Sequence, residues 1–376
     1  MYPTYVPILK AKKGEFEALA NLADSYAQRI YPFFDIGKIT EATKKLVKFK
    51  NSSQIVKDYL DDTTEKIVSS CKSDNMFFDI FEWKTDSYVE TGEHALSYLY
   101  RILCKSGMNI IPVIGFDRWD SEDYQNAVKA IDMPEDGLYC IRIDSGSIDD
   151  AHDIEYFTDI LNDVFDTLKI SPKQCVALID FADVTKKSVV SINTDMEHML
   201  GILDNYNFAY IIMSGGSFPA IINDAVKDVD TTDFVPRREI LSWKGISLQK
   251  RETPIIFSDY GVRNPNAAGD IIATHANGKI RYTIEDKYFV ARGHSKQKGN
   301  KGKQQNVLAR VIVGSNHYCQ AQFSWGDKRI EDCSQDKFSG NSTQWIGIDT
   351  NHHITLVVNE ILEYQKKIVS STFRTL

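Results

Sequence analysis

Eight short apolar segments, each ending in polar residues, constrain the fold of this chain more than any other feature. They lie at 5–12, 30–36, 76–83, 109–117, 138–145, 175–183, 208–216 and 254–261. Several of the intervening segments repeat apolar residues at spacings of three and four, as amphipathic helices do. Parallel strands that are buried on both faces read as near-continuous apolar runs. The alternation therefore predicts an α/β fold, a TIM-like (β/α)8 barrel.

The alternative fold is an open, doubly wound sheet, which is built from the same alternating elements. Such a sheet typically carries a glycine-rich turn after its first strand, whereas here the sequence is LKAKKGEFEAL. This turn lacks the glycine pattern of a dinucleotide-binding site. We therefore predict a barrel over residues 1–276 and an α+β C-terminal extension over 277–376 packed on it.

Polar residues end most of the predicted strands, where a barrel of this kind places its active site. They are Lys10, Asp35, Asp79, Asp117, Arg142, Asp144, Asp180, Ser214, Ser258 and Asp259. Arg142 and Asp144 are two residues apart, so they share one side of their strand, which we predict to face inward with Asp180 within reach. The residues of this ring that we predict to be catalytic are Lys10, Asp79, Arg142, Asp144 and Asp180.

The same ring has a structural alternative, in which the charges pair with one another and the aspartates cap helices. Asp117 and Asp183 in particular fit turn or N-cap positions. Capping alone does not require this many acids together with a lysine and an arginine, so both interpretations stay open at this point.

A phosphate site is predicted at the turn after the seventh strand. Ser214, Gly215, Gly216 and Ser217 offer exposed N–H groups ahead of a predicted helix, and barrels often bind phosphate there. Arg292, from the extension, is assigned to the same site. The alternative is a tight turn that needs glycine for its backbone conformation.

No cofactor or metal ligand is assigned from the sequence. Several carboxylates at one mouth keep a divalent metal such as Mg²⁺ or Mn²⁺ a candidate. The motifs HExxH, GxSxG and the P-loop are absent from the sequence.

The composition limits the kinds of partner that we expect this protein to bind. The net charge of −8 argues against a broad nucleic-acid surface, leaving only the basic segment 296–303 as a candidate contact. No apolar run approaches the length of a membrane span, and the first residues do not look like a signal peptide. The six cysteines form no CxxC pair. We therefore expect a cytoplasmic protein without a membrane contact.

The extension is predicted to contain two strands within 278–293 and a last helix that begins near Asn351. His352 and His353 would then lie in the first helical turn and point in different directions. We predict that His352 is catalytic and that Arg292, His352 or His353 reaches the cavity of Lys10 and Asp180. The alternative is that the extension packs on the side or bottom of the barrel.

Several fragments along the whole chain resemble the beta family proteins, which are named for the beta protein of a satellite phage. The fragments are YVPILKAKKGEFEAL, GKIRYT, FVARG, FSWGDKRI, and a tryptophan followed six residues later by NHHI. The matched positions are Lys10, Lys12, Glu15, Tyr282, Arg292, Gly293, Ser324, Gly326, Asp327, Trp345, Asn351, His352 and His353.

The resemblance implies a biological setting and no particular reaction. The satellite-phage member is encoded beside a host-killing gene and takes part in controlling or executing that killing, and relatives lie in antiphage defence neighbourhoods. It therefore implies a component of a defence or toxin-control module that acts with a protein partner, which we expect to meet the polar mouth. The alternative is a hydrolase or phosphodiesterase-type barrel acting on a phosphorylated small molecule or nucleotide.

Overall fold

A closed barrel of eight parallel strands forms the body of the molecule. The structure is a computed structural model that describes residues 2–267, 276–295, 297–298 and 304–372. The barrel strands are β1 (Tyr5–Leu9), β2 (Phe33–Asp35), β3 (Asn75–Asp79), β4 (Asn109–Gly115), β5 (Tyr139–Ile143), β6 (Cys175–Asp183), β7 (Tyr210–Gly216) and β9 (Ile255–Asp259). The predicted TIM-like fold and all eight predicted strands are confirmed.

A second, antiparallel sheet of three strands has the order β10-β11-β8. Its strands are β8 (Thr231–Pro236), β10 (Asn277–Ile284) and β11 (Lys287–Ser295). The two predicted extension strands are therefore confirmed, whereas β8 was not predicted. Because β8 comes from the chain before residue 276, the predicted boundary does not separate the two sheets.

The helices alternate with the barrel strands and then complete the extension. They are α1 (Lys13–Ala20), α2 (Asp24–Ala27), α3 (Glu41–Lys44), α4 (Ile55–Ser70), α5 (Ala95–Leu103), α6 (Glu122–Lys129), α7 (Ser145–Asp150), α8 (Ile154–Leu168), α9 (Val189–Leu203), α10 (Ile222–Ala225), α11 (Arg238–Ile246), α12 (Gln304–Val313), α13 (Trp325–Ser334) and α14 (Ser342–Thr372). In the part of the chain that the structure describes, no helix combines the length and apolar character needed to cross a membrane. The predicted basic contact at 296–303 lies outside the described residues except for 297–298.

Alternate strand residues fill the barrel interior, as the two-residue period of a strand requires. The lower layers are apolar and include Val6, Ile8, Phe33, Phe77, Ile111, Val113, Cys140, Val176, Leu178, Ile212 and Ile256. The opposite faces of the strands pack under the helices in a larger apolar cluster. Toward the carboxyl ends of the strands, the inward-facing positions are polar, and these residues lie together at the mouth.

The last helix begins at Ser342, so the prediction of a start near Asn351 is wrong. Asn341 accepts hydrogen bonds from the N–H groups of Thr343 and Gln344, as an N-cap does. Trp345 and Ile348 in the first turns pack into the apolar core of the extension. This packing extends the helix through a segment whose glycine and threonine residues are poor helix formers.

The last helix is also part of the barrel's outer ring, because it packs closely against α1. A Cβ atom added to Gly347 would lie 2.7 Å from the carbonyl oxygen of Gly14. Asn351 donates a hydrogen bond of 2.9 Å to the carbonyl of Ala18. Glycine at the crossing therefore allows the two backbones to approach.

We expect Gly347→Ala to lower the free energy of unfolding by about 1–3 kcal/mol, since the new methyl group overpacks the crossing. Gly201→Ala in α9 is the matched control, because a Cβ atom there meets nothing within 4 Å. That change should stabilise the protein by about 0.5–1 kcal/mol, as glycine-to-alanine changes inside helices do. Urea unfolding followed by circular dichroism measures both, and a stabilised Gly347→Ala variant would contradict the close crossing.

Candidate functional site

Arg142 lies at the centre of a buried ion network at the carboxyl end of the barrel. Its Nε and one terminal nitrogen donate to Asp180 Oδ2 at 3.0 and 2.6 Å. The other terminal nitrogen donates to Asp79 Oδ2 at 2.9 Å. The Tyr260 hydroxyl contacts both Arg142 (3.0 Å) and Asp180 (2.6 Å). Arg142 is only 1% exposed, so its predicted inward position beside Asp180 is confirmed.

A second arginine completes the pairing of Asp79. Arg118 donates to the two carboxylate oxygens of Asp79 at 2.9 and 3.2 Å. Its guanidinium occupies the space beside Gly115, where a Cβ atom would lie 2.1 Å from the Arg118 nitrogens. Burial by itself would raise the pKa of Asp79, but Arg118 and Arg142 outweigh it and lower that pKa. Asp79 is therefore held as a carboxylate.

Lys10 lies on the rim of the same network, and Asp35 is buried beneath it. Lys10 Nζ donates to Asp35 Oδ2 at 2.7 Å and to Glu82 at 3.3 Å. The other oxygen of Asp35 has no hydrogen-bond partner among the described residues and lies 4.0 Å from an Arg142 nitrogen. Burial raises the pKa of Asp35, against the opposing effects of Arg142 and Lys10. Asp35 is therefore the carboxyl group of the mouth with spare hydrogen-bonding capacity.

Two buried serines continue the polar layer around the barrel. Asp180, Ser214 and Ser258 lie side by side in the register of β6, β7 and β9. Both serine hydroxyls are buried and have no hydrogen-bond partner in the described part of the chain. They add polarity to the layer without contributing charge.

The charges of the network balance one another inside the barrel. Three carboxylates, from Asp35, Asp79 and Asp180, meet three cations. The Phe81 ring centroid lies 4.2 Å from the Arg142 guanidinium and covers it. The central part of the mouth is thus a paired structure, and the side chains that reach solvent lie on its rim.

Asp144 does not join this network, so its predicted inward position is wrong. β5 ends at Ile143, and the next residue turns back to become the N-cap of α7. Its carboxylate accepts from the backbone N–H groups of Ser147 (3.1 Å) and Gly146 (3.4 Å). Strand alternation stops at the strand end, which is why the two-residue rule failed there.

The histidines of the last helix lie outside the barrel wall, contrary to the prediction that one enters the mouth. His353 Nε2 lies 3.0 Å from Asp259 Oδ2, on the outward face of β9. His352 is fully buried between Asp327 and the Thr283 carbonyl, at 2.8 Å from each. It stacks on Tyr282 with ring centroids 3.9 Å apart. The structure therefore does not place His352 beside Lys10 and Asp180.

The predicted phosphate turn is occupied by protein groups. The Ser217 hydroxyl donates to a carboxylate oxygen of buried Glu239 and accepts from the Arg238 N–H at 2.8 Å. The expected helix does not follow directly, since α10 begins at Ile222 and has four residues. The Ser217 hydroxyl is therefore already bonded to protein groups, and the geometry gives a phosphate site at this turn no support.

Arg292 likewise serves the fold. It donates to the carbonyl oxygens of Val226 (2.8 Å) and Lys227 (2.5 Å). Among the described residues no hydrogen bond joins it to the turn at 214–217. Its assignment to a phosphate site with that turn has no support in the geometry.

A second buried charge cluster joins the barrel to the extension. Arg237 donates to Glu360 of α14 at 2.7 Å and lies 3.6 Å from Asp259. Glu239 Oε1 is 3.8 Å from Arg237 and has no hydrogen-bond partner among the described residues. Burial raises the pKa of Glu239 to about 7, although Arg237 acts in the opposite direction. This cluster was not found from the sequence.

One family model covers nearly the whole chain. The model of the beta protein family matches residues 5–359. The chain belongs to the beta protein family. No curated protein matches it. The resemblance inferred from the sequence fragments is thereby confirmed.

In this beta family protein, three of the fragments that carry the resemblance, GKIRYT, FSWGDKRI and NHHI, meet in one buried cluster of the extension. Asp327 accepts from the Tyr282 hydroxyl at 2.6 Å and from the Ser324 hydroxyl at 2.5 Å. The same carboxylate contacts His352 at 2.8 Å. These residues connect β10, α13 and α14, so their observed role is to hold the extension together.

Two residues of the mouth of the beta family protein, Tyr260 and Arg118, were not predicted from the sequence. Tyr260 follows β9, and its position continues the inward row of 256 and 258, so the alternation could have found it. Arg118 folds back into the mouth from a short turn after β4, which no periodicity indicates. Gly115 was the sequence signal that could have indicated Arg118. A glycine at the mouth end of an inward-facing row leaves space that another side chain can fill.

We assign no metal site in the part of the beta family protein that the structure describes. Within residues 2–267, 276–295, 297–298 and 304–372, no group of three or more His, Cys, Asp or Glu side chains is arranged to hold a metal ion. The acids of the mouth are instead paired with arginine and lysine.

Proposed function

We propose that this beta family protein is a component of an antiphage defence or toxin-control module and acts in it by binding a protein partner. The setting follows from what the family resemblance implies. The observation that carries the partner role is the pairing within the mouth, where Arg142 donates to Asp79, Asp180 and Tyr260. A substrate would have to displace one of these groups, and breaking a buried ion pair costs about 3–5 kcal/mol.

A partner meeting the mouth would contact its exposed rim. Glu82 and Asp117 stand there on the loops after β3 and β4, and Lys10 is partly exposed beside them. Charges on a rim steer association and set specificity more than they add affinity. A protein partner fits such a surface because it needs no cavity.

The test is purification of the tagged protein from phage-challenged cells, with protein and metabolite mass spectrometry of what co-elutes. We expect one protein at a near-stoichiometric ratio and no enriched phosphorylated metabolite. Arg101→Met, which alters an exposed ion pair with Glu93, is the surface control and should retain the partner. A bound metabolite without any stoichiometric protein would overturn the proposal.

A hydrolase acting on a phosphorylated small molecule or nucleotide is the second candidate, and Asp35 favours it. Its raised pKa and unpartnered oxygen are properties of a general acid or base. Asp35→Asn removes that chemistry while keeping the shape. Under the partner proposal this variant keeps full phage protection. Lost protection with the partner still bound would favour the hydrolase.

A further inference from the structure

An apolar groove lies between β8 and α12. We call it the β8 groove, and it encloses about 530 Å³. Its lining includes Asp230, Thr231, Thr232, His294, Val307 and Val311. The groove is the open space where the helix that covers β10 and β11 stops short of the neighbouring strand.

The walls of the β8 groove expose large apolar side chains. Val307 and Val311, one turn apart on α12, are 50% and 41% exposed. Outside the lining of the groove, Phe234 of β8 is also 45% exposed, and it stacks on Phe289 of β11 with ring centroids 5.3 Å apart. Exposed apolar groups grouped in this way are typical of interaction sites.

The edge of β8 that has no partner strand offers backbone groups for directional hydrogen bonds, except for the Phe234 N–H, which donates to Asp233 Oδ1 at 2.8 Å. β8 pairs with β11 from Thr231 to Pro236, and among the described strands it has no neighbour on its other side. An edge strand presents a row of backbone N–H and C=O groups that an extended segment can pair with. The groove therefore combines an apolar wall with a template for an added strand.

Charge decides between a second copy of this chain and a different partner. Asp228, Asp230 and Asp233 are exposed along and just before β8. Antiparallel pairing of two copies of β8 would bring these acids toward one another, which like charges across a strand pair oppose. A segment carrying lysine or arginine would instead complement them.

We propose that the β8 groove binds an extended segment of the protein partner as an added strand on β8. Apolar side chains of that segment lie over Val307 and Val311, and a basic residue faces Asp230 or Asp233. The inference rests on the proposed function, and it adds a second contact site for the same partner, besides the rim of the mouth, together with the chemistry of that site.

A peptide assay tests the groove with the purified full chain. The probe is a fluorescent synthetic peptide of alternating valine and threonine flanked by lysines, and its comparison peptide carries glutamates in place of the lysines. We expect the lysine peptide to bind at least tenfold more tightly. N-methylation of alternate peptide residues should also weaken binding at least tenfold, because it removes strand hydrogen bonds. Equal binding of all three peptides would overturn the proposal.

Variants locate the binding. The double variant Val307→Asp, Val311→Asp should bind the lysine peptide at least tenfold more weakly. When it is purified from cells, the partner protein should no longer co-purify with it. Val190→Asp on α9 is the matched control, because that valine is also highly exposed but lies outside the groove. If the partner still co-purifies with the groove variant, this inference is wrong, but the proposed function is not contradicted. Absence of any partner from the unaltered protein overturns the proposed function itself.

Self-association is measured on the same samples by light scattering. We expect a mass that does not change between the unaltered chain and the groove variant. A dimer that the groove variant dissociates would show that the groove binds a second copy, and it would overturn the inference.

Discussion

Replacing Arg142 by methionine is expected to lower the free energy of unfolding by about 3–5 kcal/mol. The change leaves the Asp180 carboxylate buried without its cation and removes one of the two arginines that hold Asp79. An unpaired buried charge is costly because the desolvation that burial imposes is no longer offset. Urea unfolding followed by circular dichroism at neutral pH measures the loss.

Arg101→Met is the control for this prediction, since it removes the same side chain from an exposed pair. Arg101 donates to Glu93 at 3.1 and 2.6 Å, with about half of its side chain in solvent. Exposed pairs contribute about 0–1 kcal/mol, so the control should change little. Similar losses in both variants would show that the mouth network does not stabilise the barrel more than a surface pair does.

Glu239 is expected to make the protein less stable as pH rises from about 5 to about 8. Burial raises the pKa of this carboxyl from its ordinary value of 4.5 to about 7 in the folded protein. Between those values the folded state binds a proton that the unfolded state has released, so the stability falls as pH increases. Each tenfold change in proton affinity corresponds to about 1.4 kcal/mol, which gives about 3 kcal/mol in all.

Glu239→Gln isolates this contribution, because glutamine does not titrate and keeps an oxygen for the Ser217 hydroxyl. The variant's stability relative to the unaltered protein should increase by about 2–3 kcal/mol between pH 5 and pH 8. Comparing the two pH values removes any constant effect of the amide near Arg237. A relative stability that stays flat with pH would show that Glu239 is ionised throughout, held by Arg237 at 3.8 Å.

The barrel could be predicted from the sequence because its signal is local. Each strand is an apolar run, and two-residue alternation correctly placed Arg142 and Asp180 on the inward face. The same rule failed at Asp144, since the chain leaves the strand one residue earlier and forms a helix cap. Alternation therefore predicts direction only as far as the strand continues.

The extension was harder to predict because its contacts join distant parts of the chain. β8 is an exposed strand that precedes the last barrel strand, yet its pairing partner is β11. The two histidines were placed by an assumed helix start near Asn351, and the earlier start at Ser342 depends on packing against the extension core. Neither pairing nor packing of this range leaves a local pattern in the sequence.

The crossing of α1 with the last helix has a consequence for how the protein is made. Asn351 bonds to Ala18 across 333 positions of sequence, and β1 pairs with β9 through Tyr5 and Phe257, which are 252 positions apart. During synthesis, β1 and α1 therefore leave the ribosome long before β9 and the last helix are made. Until then, apolar residues such as Phe16 and Leu19 stay exposed to solvent. Contacts of such long range slow folding and leave early segments open to aggregation. The rate of synthesis and access to chaperones therefore affect how much of the chain folds before it aggregates.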